Sequence, residues 1–106
     1  MSTPQHSWWP FVRNMIKRRP ERLGKDTKGN ALKELEAVEL AIKQTKALPD
    51  GESRIRLMEL VYWARYKYTL PGAAMQIPIS YGTARRWNYD FFLTVAKAYG
   101  LYNGDQ

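Results

Sequence analysis

Residues 69–89, TLPGAAMQIPISYGTARRWNY, have the layout of a helix-turn-helix: a short helix, a tight turn and a second helix opening at Ser80. Ala74 is small where two helices must cross closely. Ala73, Ile77, Ile79, Ala84 and Trp87 are apolar at the positions that pack the pair together. Ser80 is placed to cap the second helix, its hydroxyl accepting an orphan backbone N–H near Gly82 or Thr83. Tyr81, Gly82, Thr83, Arg85, Arg86 and Tyr89 then point outward from its opening turns. A helix whose exposed N-terminal face is polar and doubly basic suits the major groove of duplex DNA. Ser80, Tyr81, Gly82, Thr83, Arg85, Arg86 and Tyr89 are therefore the candidate DNA-binding set. One arginine is expected on a phosphate and the other on a guanine edge.

Working outward, Thr69 is the expected cap of the first hairpin helix, 70–76, with Pro71 in its first turn. The second hairpin helix is expected over 81–99, along Ala84, Trp87, Phe91, Val95 and Ala98. Gly100 is its expected left-handed cap. Trp87, Phe91, Phe92 and Val95 recur at three- and four-residue spacing, which marks core rather than a stacking platform for single strands. Upstream, Pro49-Asp50-Gly51 signals a turn. It separates a helix over 31–48, capped by Asn30, from one over 52–67. The former carries Leu32, Leu35, Val38, Ile42 and Thr45 inward. The latter buries Leu57, Leu60, Val61 and Ala64, with Tyr62 and Trp63 on its flanks. Tyr62, Trp63, Tyr66 and Tyr68 form an aromatic cluster, part core and part exposed.

The first 29 residues are expected to be a polar tail, a basic amphipathic helix over 8–18 and a linker. Trp8, Phe11, Val12, Met15 and Ile16 fall on one stripe, with Pro10 in the opening turn and Pro20 as the stop. Residues 21–29 are charged and hold Gly24 and Gly29, the composition of a linker. Residues 13–33 hold eight basic side chains and few acids. Arg18 and Arg19 are the candidates there for phosphate contact. No strand pattern or internal repeat is present. The expected fold is all-α, about five helices, with residues 30–106 forming the DNA-binding domain.

Composition narrows the function. A chain of 106 residues with formal charge +7 favours a polyanionic partner, most simply nucleic acid. There is no cysteine, and the single histidine, His6, lies in the polar tail. That excludes disulfides and thiolate metal sites. Ser53 and Ser80 sit at caps with no base in reach, and Glu34, Glu36 and Glu39 are spread around a helix as surface partners for cations. No enzyme, cofactor or metal is expected. No apolar run approaches the roughly 20 residues of a membrane span, and no signal-peptide core opens the chain.

Residues 30–102 resemble the small phage transcriptional regulators of the RinA and ArpU type, whose C-terminal half is similar to region 4 of sigma factors. The resemblance rests on ALKELEAVELAI, LPDGESRIRLMELVYW, ISYGTARRW and VAKAYGL. Ser80-Tyr81-Gly82-Thr83-Ala84 is similar to the element that opens the sigma-type recognition helix. Pro78 stands in the turn where that family usually carries glycine. The resemblance implies a sequence-specific regulator of phage or prophage late genes, acting on the nucleoid in the bacterial cytoplasm. The expected partner is double-stranded DNA, with host RNA polymerase and a second copy of the chain as further candidates. Two other readings stay open: a small terminase subunit of a DNA-packaging machine, and an all-α protein-interaction module.

Overall fold

The computed structural model describes residues 6–101. Among them there are six α-helices and one π turn, and no strand. In order these are α1 (Trp9–Lys17), α2 (Arg19–Leu23), α3 (Gly29–Lys46), α4 (Gly51–Met58), a π turn (Glu59–Trp63), α5 (Leu70–Gln76) and α6 (Tyr81–Tyr99). The fold is all-α. The central packing is α3 against α6. Ala37 and Ala41 on α3, and Ala84 and Ala96 on α6, are all buried. Of the residues expected inward on α3, Leu32 is exposed and Leu35 half-buried. The expected cap Asn30 lies inside α3, whose N-cap is Lys28 with no side-chain hydrogen bond.

The N-terminal helix is not a loose arm. Trp9, Val12, Met15 and Ile16 are buried in the same core as α3, α4 and α6. The Trp9 ring stacks on Phe92 at 4.6 Å and on Tyr89 at 5.2 Å. Trp9, not Trp8, leads the buried stripe, and Phe11 stays exposed. Pro20 does not end the helical run. It occupies the first turn of α2, where its missing N–H and fixed φ cost nothing. Residues 21–23, expected in the linker, are therefore helix. Two ion pairs fasten α2 to α3, Arg19 with Glu39 and Arg22 with Glu34 at 2.7 Å.

The helix expected over 52–67 ends at Trp63. Its last turn is widened, and the Ala64 N–H donates to the Glu59 carbonyl at 2.6 Å. A π turn adds one residue to a turn and so rotates every later side chain relative to the 3.6 pattern. This brings Tyr62 inward and leaves Val61 and Ala64 half-buried. The Tyr62 hydroxyl donates to Asn88 Oδ1 at 2.6 Å, and the Trp63 indole N–H donates to the Ile16 carbonyl at 2.7 Å. The π turn thus joins α1 to α6.

Burial pushes the Tyr62 hydroxyl above its ordinary value of 10.0, with the Arg13 charge pulling the other way. Its folded pKa exceeds its unfolded one, so its contribution to stability is complete below about pH 10 and is lost as pH rises through the folded value. Tyr62→Phe should therefore lose less stability than wild type between neutral pH and alkaline pH. Denaturant titrations at both conditions measure this, and equal losses would contradict it.

Candidate nucleic-acid interface

The hairpin forms where its local signals place it. Thr69 caps α5, its side chain accepting from the Gly72 N–H at 3.2 Å. Ser80 caps α6, accepting from the Thr83 N–H at 3.0 Å. The Ser80 hydroxyl in turn donates to Thr83 Oγ1 at 2.9 Å. Between the helices, the Ile79 N–H donates to the Ala74 carbonyl at 3.0 Å. Ala73, Ala74, Ala84 and Trp87 are buried between them, and Ile77 and Ile79 are half-buried. Pro78 stands in the turn between the two helices. Gly100 closes α6 in the left-handed region at φ 95°.

Each candidate residue has a definite place. Ser80, Tyr81, Gly82, Arg85 and Arg86 are exposed along the first turns of α6, and Thr83 is half-exposed beside its cap. The Arg85 guanidinium lies 5.7 Å from the Tyr81 ring centroid, a cation–π arrangement that holds both side chains over one face. Tyr89 is different. It is half-buried, and its ring stacks on Trp9. One face of Tyr89 therefore belongs to the packing of α1 on α6.

Arg18 and Arg19 stand at the junction of α1 and α2. Arg18 caps α1 and is exposed. Arg19 is paired with Glu39, and its guanidinium lies 4.7 Å from the Trp63 ring centroid. Arg22, another member of the basic segment, is likewise committed to Glu34. Two of the eight basic side chains of residues 13–33 thus hold α2 against α3. Arginine's planar fork suits both tasks, the ion pair and the ring contact.

The sequence running through the hairpin is free of acids over a long stretch. Residues 60–89 contain Arg65, Lys67, Arg85 and Arg86 and no Asp or Glu. The bracketing acids are engaged: Glu59 with Arg56 at 3.8 Å, and Asp90 with Arg54 at 3.6 Å. None of the four cations is paired with a carboxylate among the described residues. Also among the described residues, no cluster of His, Asp and Glu is placed to hold a metal, and no helix is long and apolar enough to cross a membrane. Shallow depressions of about 340 and 350 Å³ lie elsewhere, beside Ser53 and beside Thr94. No protein-family model, curated protein or solved structure matches this chain.

Proposed function

We propose that the chain is a sequence-specific DNA-binding transcriptional regulator, and that its targets are late genes of a phage or prophage. The phage assignment follows from the resemblance to RinA- and ArpU-type regulators. The DNA reading rests on one observation: a capped helix leaves a tight turn with Tyr81, Gly82, Arg85 and Arg86 exposed on its first turns, within a 30-residue stretch free of carboxylates. In a docked hairpin, α6 enters the major groove and α5 crosses the backbone. Base contacts then come from the start of α6, and later residues drift toward the phosphates. Host RNA polymerase and a second copy of the chain are the protein partners this function would call for.

The reading makes Arg85 a base reader and Arg86 a phosphate holder. Arg85→Ala should cost about 1–3 kcal/mol of binding and relax the preference at one base position, a guanine. Arg86→Ala should weaken specific and random sites alike and make the salt slope shallower by about 1 unit. Binding-site selection on wild type and both variants, with folding checked by circular dichroism, tests this. An unchanged selected motif and intact affinity for Arg85→Ala would remove that residue from the reading face.

A further inference from the structure

The loop between the π turn and α5 is unlike the rest of the surface. Widening the last turn ends the helix at Trp63, and residues 64–69 reach α5 without regular structure. The loop is nonetheless held in place. The Tyr68 N–H donates to the Leu60 carbonyl at 2.9 Å, and Thr69 is fixed by its capping bond to Gly72. Arg65, Tyr66, Lys67 and Tyr68 are all exposed, Tyr66 to 78%. The Arg65 guanidinium lies 5.5 Å from the Tyr66 ring centroid, and the Lys67 ammonium donates to the Ala64 carbonyl at 3.3 Å.

Exposed cations on a loop are ordinarily just solvated. Here three features depart from that. The backbone is pinned at both ends of the cluster. Neither cation meets a carboxylate among the described residues, a state they share with Arg85 and Arg86 of α6. The loop also leads directly into α5, the helix that crosses the backbone in a docked hairpin. Tyr66, exposed between two cations, adds a hydroxyl donor, the kind of group that meets phosphate oxygens.

We propose that Arg65, Tyr66 and Lys67 form a second contact surface for the sugar–phosphate backbone of duplex DNA, at the start of α5. This rests on the duplex-DNA reading of α6. The loop carries no base recognition: it adds affinity and fixes the register in which α6 meets the groove.

The test is the double variant Arg65→Ala with Lys67→Ala in the full chain, compared with wild type and Arg86→Ala. Each is titrated against a selected duplex and a random duplex over a salt series. Both substitutions are on exposed side chains, and circular dichroism should be unchanged. The double variant is expected to bind both duplexes roughly 10-fold more weakly, or worse, at about 0.1 M salt, and its log–log salt slope should be shallower by about 2 units. Its selected motif should match that of wild type. Wild-type affinity and slope in the double variant, with Arg86→Ala still shallower, would overturn the loop contact and leave the α6 reading standing. Wild type failing to bind either duplex would overturn both.

Discussion

Trp87→Ala is expected to destabilise the protein by about 3–5 kcal/mol, as removal of a large core aromatic does. Trp87 is only 6% exposed and lies in the core with Ala73, Ala74 and Phe91. Its ring also carries a cation. The Arg54 guanidinium sits 5.2 Å from the ring centroid, and the same arginine donates to the Pro49 carbonyl at 3.2 Å and pairs with Asp90. Losing the ring therefore leaves a void and removes one of three contacts of Arg54, the residue that ties the turn after α3 to α6. Small domains hold only about 5–15 kcal/mol in total, so the hairpin should lose its fixed geometry along with stability. Thermal or denaturant unfolding measures the effect. A variant that melts like wild type yet no longer binds DNA would make Trp87 a contact residue and favour base stacking over packing.

Gly51→Ala is the second large effect, and its cause is backbone crowding. Gly51 is buried at the first position of α4, immediately after the left-handed Asp50 at φ 60°. A Cβ there would come within 2.7 Å of the Thr45 carbonyl oxygen and the Lys46 carbonyl carbon, and closer still to the Lys46 oxygen. These are main-chain atoms at the end of α3, so no side chain can swing away. The end of α3 and the start of α4 must move apart, at a cost of about 3 kcal/mol or more. The melting temperature should fall by about 10–20 °C. Gly24→Ala is the internal control. The nearest atom to its Cβ would be the Glu21 oxygen at 4.0 Å, and its stability should stay within about 0.5 kcal/mol of wild type. Equal melting of the two variants would show that the α3–α4 junction is looser than described.

The C-terminal half was legible because its boundaries are set by local chemistry. Thr69, Ser80 and Gly100 each satisfy orphan backbone groups within a few residues of themselves. The helices they bound therefore run over the expected residues. The N-terminal half depends on distant partners. Proline both ends and opens helices, and only the pairing of Arg19 and Arg22 with Glu39 and Glu34 decides that Pro20 opens one. The π turn escaped for a different reason. A 3.6-residue pattern cannot register one added residue, so it puts Tyr62 on a flank and Ala64 in the core. On α3 the expected Val38, Ile42 and Thr45 are buried, joined by Ala37 and Ala41, and alanine gives a weaker hydrophobic signal than Leu32 or Leu35. Of the candidate interface, the exposed opening turns of α6 followed from the cap at Ser80. The stacking of Tyr89 on Trp9 did not, since it requires α1 to dock across α6.

Equilibrium binding of the wild-type chain to duplex DNA across a salt series tests the central claim most directly. Arg18, Arg65, Lys67, Arg85 and Arg86 are exposed and without carboxylate partners among the described residues. With about 5 phosphates neutralised, log affinity should fall against log salt with a slope of about −4 to −5. A slope near zero, or no binding at low salt, would contradict the assignment of this chain to DNA.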